Sequence, residues 1–425
     1  MPTVDTKKNP AYDIVIVGGG MVGISLALLL NAQKQWNILI IEAQAMSCED
    51  SADKPTLGAY SSSFDARSTA LSWSSRNIYQ SIGVWPQLKK HLAPIEQIHV
   101  SDRGHIGLTR IHAEEAQVEA LGYVVENRWL GSVLLSQLGQ ADIDVLGSAS
   151  VETIVALADG MQLGIQQIDK NKQMIDAKLV VIADGAGSST AKKLGIQSES
   201  IAYGQTGIIA NISIEKPHNG VAYERFTDQG PMALLPLTDF KGRPRSALVW
   251  TQPSDIAASL MVADERTFLD QLQARFGHRL GQFQQVGERV SFGLALTKSS
   301  EQVRRNLVVM GNAAHSLHPV AGQGFNLSLR DAATLADSLA SATESVGELT
   351  LLQSYQQQQA ADQRNTVLFS DSLPKLFGLS ASAAALGRNS GLLAMDLIPS
   401  LRRGFARFGM GMATREAGNK GLGNG

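Results

Sequence analysis

Residues 12–17 (Tyr-Asp-Ile-Val-Ile-Val) are a short run rich in β-branched residues, followed by Gly18-Gly19-Gly20-Met21-Val22-Gly23 and then by the apolar stretch 24–30. Strand, G-x-G-x-x-G turn and helix in that order constrain the fold more than any other feature of the chain. Gly18 permits a tight turn, Gly20 lets a pyrophosphate approach the backbone, and Gly23 lets helix and strand pack closely, with the helix N-terminal amides facing the phosphates. A second apolar run, residues 37–41, then delivers Glu42 about 20 residues further on, where an acid binds both ribose hydroxyls and disfavours a 2′-phosphate. The competing reading is a secretory signal or membrane anchor, because Lys7 and Lys8 precede a nearly uncharged stretch at 14–30. Asp13 and three successive glycines count against it, since each glycine costs a helix about 1 kcal/mol relative to alanine. No small-residue cleavage site follows Leu30. At this point the identity of the dinucleotide stays open.

The 37 basic and 39 acidic residues give a formal charge of -2, so no electrostatic argument favours a nucleic-acid partner. A single cysteine, Cys48, excludes an intrachain disulfide and suits a reducing, cytoplasmic setting. No other stretch approaches the roughly 18 apolar residues of a spanning helix, so a soluble or peripheral protein is expected. At 425 residues the chain has room for two or three domains.

Along the chain, residues 43–63 read as a loop and 65–71 as the opening of a helical stretch. Residues 95–109 alternate around Asp102-Arg103-Gly104 as a hairpin would, and 122–126 form a strand ahead of a helix at 130–138. Strand signals recur at 145–156, 160–167 and 179–182. The last is wholly apolar and ends at Asp184-Gly185, as if the chain returned to the first parallel sheet. From 201 to 296 longer strands form a separate sheet. Residues 304–310 make another apolar strand into Gly311, followed by a loop to 326 and a helix through 340. The remainder is helical, ending in a glycine-rich tail from 417 that is expected to be disordered. The expected class is α/β. A discontinuous Rossmann-like domain (1–95, 125–200 and 300–345) holds the dinucleotide, with an inserted, mainly β substrate domain (96–124 and 201–299) and a helical C-terminal region (346–425).

Three glycine turns thus stand at strand ends, at Gly18–Gly23, at Asp184-Gly185 and at Gly311-Asn312. With Glu42, and in this order, they resemble the flavoprotein monooxygenases of the para-hydroxybenzoate hydroxylase type over residues 12–370. The resemblance implies FAD, held at its ADP half by Gly18, Gly20, Gly23 and Glu42, with NAD(P)H as a transient co-substrate. It assigns Asp184, Gly311 and Asn312 to the same cofactor. The family's third turn is usually Gly-Asp, the aspartate binding the ribityl chain, whereas here Asn312 keeps a hydrogen-bonding side chain without the charge. The family's second turn usually ends in an arginine, at a position held here by Ala191 with Lys192 and Lys193 following, so this chain departs from the family's pyridine-nucleotide contact there. Arg67 matches a basic residue that the family places near the flavin, and Arg128 is a weaker match. The alternative for either is a surface ion pair.

Residues 315–326 carry the densest local chemistry. His315 and His318 are not read as a metal pair, because no carboxylate or cysteine cluster joins them and a metal needs at least three protein ligands as a rule. The resemblance places Gly322, Gln323 and Gly324 under the isoalloxazine ring, with the following helix N-terminus facing the N1 and C2-carbonyl edge. Its partial positive charge would stabilise the anion of reduced flavin there. The implied chemistry is reduction of FAD by NAD(P)H, addition of O2 as a C4a-hydroperoxide, and electrophilic attack of oxygen on an aromatic ring. The protein would orient the phenol, exclude water and assist phenol deprotonation. The sequence names no residue as the base.

The segments 99–105, 224–237 and 311–314 narrow the likeness to the ubiquinone-pathway hydroxylases, most closely those acting on 2-octaprenyl-6-methoxyphenol. That implies a polyprenyl phenol substrate, oxygen inserted para to its hydroxyl, and pocket walls from Phe226, Leu235, Pro236 and His318, whose alternative is ordinary core. A prenylated substrate lives in the membrane, and residues 373–412 mix apolar side chains (Leu376, Leu392, Met395, Leu397, Phe405, Met410) with Arg402, Arg403 and Arg407. Such a stretch can lie on an anionic membrane surface, here the inner face of the plasma membrane, or pack on the core, or form a contact in a homo-oligomer or biosynthetic complex. Rival readings are a sister hydroxylase acting at another ring position, a flavin reductase or dehydrogenase, and a flavin-free scaffold. A flavin halogenase is disfavoured by the absence of its Trp-x-Trp-x-Ile-Pro motif.

Overall fold

The computed structural model describes residues 11–33, 35–46, 67–105, 107–167, 172–319, 322–343, 345–378 and 382–412. Cys48, Asp65, Ala66 and the glycine-rich tail, on which expectations above rest, lie outside these residues.

Five strands run parallel, in the order Leu307–Val309, Gln173–Ile182, Ala11–Val17, Ile38–Ile41 and Asp144–Leu146. Their side chains are apolar almost without interruption because both faces of the sheet are covered. Ile14 and Ile16 pack into one core together with Ile24 of the helix Met21–Asn31, Leu134 of Asn127–Gly139 and Leu329 of Gln323–Ala340. Val15 and Val17 face a second core, covered by the antiparallel hairpin Ala149–Leu157 and Gly160–Gln167. Val17 lies beside both Ile41 and Ile182, so Gly18, Glu42 and Ala183 emerge together at the carboxyl end of the sheet. Gly311 follows Val309 at the same end. Ligands of open parallel sheets bind at that end.

The larger, mainly antiparallel sheet contains Ser198–Ile214, Val221–Thr227, Gly230–Phe240, Arg243–Pro253 and Val290–Ser299 among its strands. One face carries Met232, Leu234 and Trp250, packed with Phe268 and Leu272 of the helix Glu265–Phe276. The opposite face is turned towards the helices Leu349–Gly378, Ser382–Leu397 and Pro399–Gly409. No described helix is long and apolar enough to cross a membrane.

Two expectations change. Residues 68–71 belong not to a helix but to the strand Ser68–Ser72, because they pair along their whole length with Gly122–Glu126. The helix begins only at Trp73, where the Ser72 side chain accepts the Ser75 N–H as N-cap. Likewise Gly122–Glu126, which the boundary at 124/125 would divide, is one strand of a small three-stranded sheet with Ser68–Ser72 and Leu92–Ile95, separate from the large sheet.

Candidate flavin and substrate site

At the first turn the backbone leaves no room for side chains. A Cβ on Gly18, whose φ is +114°, would stand 2.4 Å from the Ala183 carbonyl oxygen, and one on Gly23 would stand 2.0 Å from the Gly18 oxygen. Gly20 caps the helix Met21–Asn31 with no side-chain hydrogen bond, so the first amides of that helix stay available to a ligand. Glu42 accepts hydrogen bonds from the Gly19 N–H at 2.6 Å and the Gln44 N–H at 2.9 Å, which fixes its carboxylate beside the glycine turn. Gly19 is crowded as well, since a Cβ there would meet Met46 Sδ at 2.7 Å and Glu42 Cβ at 3.0 Å. That constraint is invisible to the motif, which assigns only the first, third and sixth positions.

The second turn presents Asp184, whose Oδ2 accepts the Thr190 N–H at 3.2 Å while Oδ1 is buried without a partner among the described residues. At the third turn Gly311 has a φ of +66° and packs against Val22 at the start of the first helix, with Asn312 exposed beside it. Gly322, with a φ of +60°, precedes the helix Gln323–Ala340, and no side chain caps that helix N-terminus. Two glycine-led, uncapped helix N-termini, an orphaned carboxylate oxygen and a crowded glycine turn fit an elongated dinucleotide.

Asn326 fixes the second of these helices. Its Nδ2 donates to the carbonyls of Ala70 at 2.8 Å and Gly322 at 2.7 Å, and its Oδ1 accepts from the Ser72 N–H at 2.8 Å and the Ser75 hydroxyl at 2.7 Å. The side chain is 1% exposed, so all of its hydrogen-bonding capacity is used inside the protein. Further along the loop His315 meets Asp331 at 2.7 Å, both fully buried, and Asp331 also accepts from Gln363. Among the described residues there is no group of three potential metal ligands.

Gly322, Gln323 and Gly324 line a cavity of about 760 Å³ whose remaining wall is mostly apolar. The large sheet contributes Ile98, Val100, Phe226 and Leu235, and the C-terminal helices contribute Phe369, Leu392 and Phe405. His318 also reaches the cavity; both ring nitrogens are buried without a partner among the described residues, and burial pulls its pKa down to about 4. Pro236 does not line the cavity. Alternation puts Ala233 and Leu235 on the cavity side of their strand and Met232, Leu234 and Pro236 on the other.

Arg67 and Arg128 sit elsewhere. They line a second cavity, of about 280 Å³, together with Glu126 and Arg245. The buried Glu126 carboxylate accepts from Arg128 at 3.1 Å and from Arg245 at 3.2 Å. Ile209 borders both cavities.

A family model described as FAD binding domain matches residues 11–370. The chain belongs to that family. Ubiquinone hydroxylase UbiL of Rhodospirillum rubrum is 34% identical over 415 residues, covering 96% of this chain and 91% of the relative. The human mitochondrial ubiquinone biosynthesis monooxygenase COQ6 is 26% identical, covering 95% of this chain and 93% of the relative. Among solved structures, p-nitrophenol 4-monooxygenase PnpA from Pseudomonas putida superposes with a TM-score of 0.76 at 15% identity, covering 96% of this chain and 100% of that one. The protein is accordingly an FAD-dependent monooxygenase with the para-hydroxybenzoate hydroxylase-type fold.

Proposed function

We propose that this FAD-dependent monooxygenase acts in ubiquinone biosynthesis, hydroxylating a polyprenylated methoxyphenol para to its hydroxyl with NAD(P)H as electron donor. Pathway membership is carried by the relatives named above. The observation that carries the substrate class is the apolar cavity of about 760 Å³ against Gly322–Gly324, walled by the large sheet and the C-terminal helices, with a volume that suits an aromatic ring bearing a hydrocarbon substituent. Gly18, Gly20, Gly23 and Glu42 are the residues that would hold the adenine-ribose half of FAD. Asp184, Gly311 and Asn312 would hold its middle, and the Gln323–Ala340 N-terminus would hold the ring. When bound, FAD supplies the electrons that activate O2 into an electrophilic oxygen donor. The chain's own work is to orient the phenol against that ring, exclude water and accept the phenolic proton. Para attack is coherent with this, because a phenolate oxygen activates its para carbon.

Leu397, Ile398 and Leu401 are exposed on the outer side of the same C-terminal helices, which supports a peripheral membrane contact through which a lipid-soluble substrate enters. The test of the substrate assignment is mass spectrometry of quinone precursors in cells lacking the protein. A prenylated methoxyphenol without the para oxygen is expected to accumulate, and to be hydroxylated when the protein is restored. An earlier or later precursor would reassign the ring position.

A further inference from the structure

The strand Val221–Thr227 carries a residue that the site described so far leaves unused. Ala222, Glu224 and Phe226 share its cavity face, while Tyr223 packs against His99 and Phe276 behind it. The register sets Glu224 beside Val100 on one neighbouring strand and Ala233 on the other, both of them cavity residues. Glu224 is therefore the only carboxylate among the described residues that line this apolar chamber. Part of its surface faces the cavity, and protein surrounds it otherwise.

Burial alone, with no cation or hydrogen-bond donor contributing, pushes its pKa up to about 8. Among the described residues it makes no hydrogen bond or ion pair that would hold another element in position, and a carboxyl group so placed is costly to bury. Its position therefore calls for a ligand that needs a hydrogen-bond acceptor at that point of an apolar wall.

We propose that Glu224 receives the hydroxyl of the phenolic substrate and takes its proton. The assignment rests on the reading that the substrate is a phenol. The phenolic O–H bond breaks and a carboxyl O–H bond forms, leaving the electron pair on the phenolate oxygen. That pair raises the density at the para carbon, which forms its bond to one oxygen atom of O2. The other oxygen leaves as water, with the electrons drawn from NAD(P)H. As the ring regains aromaticity, the para hydrogen departs as a proton and Glu224 returns its own proton to the original oxygen.

Two other titratable groups border the same space. Burial raises the Tyr223 hydroxyl above its ordinary value, so it stays protonated and accepts no proton. His318, at the ring end, is at about 4 a far weaker acceptor for a phenolic proton of pKa about 10. Other charged or titratable groups on the packed elements are engaged elsewhere. Asp102 meets His105 and Asn389, Asp371 meets Lys375 and Tyr203, and Asp396 accepts the Arg110 N–H. Arg225, His99 and Arg279 lie together behind the strand.

The experiment uses FAD-loaded wild type and Glu224→Gln with a methoxyphenol bearing one isoprene unit. In wild type hydroxylation should rise with pH along a limb near 8, as the Glu224 carboxylate forms and can take the phenolic proton during attack. In Glu224→Gln the phenol should still bind, the pH limb should vanish, and kcat should fall about 100-fold or more with KM little changed. Glu224→Asp should restore part of the limb and of kcat. An equal pH profile and kcat in Glu224→Gln would overturn this assignment alone, whereas wild type that binds no phenol would overturn it together with the functional reading.

Discussion

The Ser72 N–H and the Asn326 Oδ1 are 254 residues apart in sequence and joined by a 2.8 Å hydrogen bond in the interior. That contact ties the end of the small sheet to the helix whose N-terminus faces the cavity. Asn326→Leu keeps the side-chain size but leaves the Ser72 N–H and the carbonyls of Ala70 and Gly322 without this partner. The expected loss is about 2–4 kcal/mol of stability, read as a shift of the urea midpoint. Because the Gly322 turn loosens with it, FAD retention measured by flavin fluorescence should fall in the same variant.

Two glycine substitutions should behave oppositely. Gly23→Ala puts a Cβ 2.0 Å from the Gly18 oxygen, so the strand–turn–helix unit must shift and both stability and FAD binding should be lost. At Gly324 nothing lies within 4 Å of where a Cβ would stand, and the position is helical. Gly324→Ala should therefore leave the apoprotein as stable or up to about 1 kcal/mol more stable, yet weaken FAD binding because the new methyl enters the space assigned to the ring. Thermal unfolding without flavin and FAD titration separate the two effects. Undiminished FAD affinity in Gly324→Ala would move the ring away from this turn.

Stability should respond to pH through two cavity-lining groups whose shifts have opposite sign. His318 has its pKa lowered to about 4 from 6.5, so the unfolded chain binds the proton more readily and this contribution is lost as pH falls from about 6.5 towards 4. Glu224 has its pKa raised from 4.5 to about 8, so its contribution falls as pH rises through that interval. His318→Gln should flatten the acid side of the urea-midpoint curve at saturating FAD. Glu224→Gln should gain stability over wild type between pH 5 and 8, the gain growing with pH.

How much of this was legible in the sequence depends on how local the cause is. The order of strand, glycine turn, helix and acid at Gly18 to Glu42 is written in adjacent residues, and the parallel sheet follows from it. The strand Ser68–Ser72 is not, because Ser-Thr-Ala-Leu-Ser carries no strong β pattern and acquires its conformation from pairing with Gly122–Glu126. Asn326 lies in the glycine-rich segment 315–326, but its partners Ala70, Ser72 and Ser75 are far away in sequence. Pro236 went astray by strand parity, an offset of one residue that reverses the face. The same parity rule would have exposed Glu224, an acid between Ala222 and Phe226 on one face of a strand.

The C-terminal segment divides into two roles that substitutions can separate. Phe369 packs at a tilt against Phe405 and Phe408, with ring centroids 5.4 Å and 4.7 Å apart, and Phe369 and Phe405 line the cavity. Arg402 is held inward by a two-pronged ion pair with Glu115, its guanidinium nitrogens 2.5 Å and 2.8 Å from the carboxylate oxygens. Leu397 and Leu401, 78% and 50% exposed, look outward. Phe405→Ala should open the wall to water, so that hydrogen peroxide formed per NAD(P)H consumed rises while product falls. Leu397→Ser with Leu401→Ser should leave that ratio unchanged and weaken binding to anionic liposomes, each lost leucine contributing about 1.5–3 kcal/mol if fully buried in lipid. Liposome binding equal to wild type in the double variant would assign these helices to closing the cavity alone.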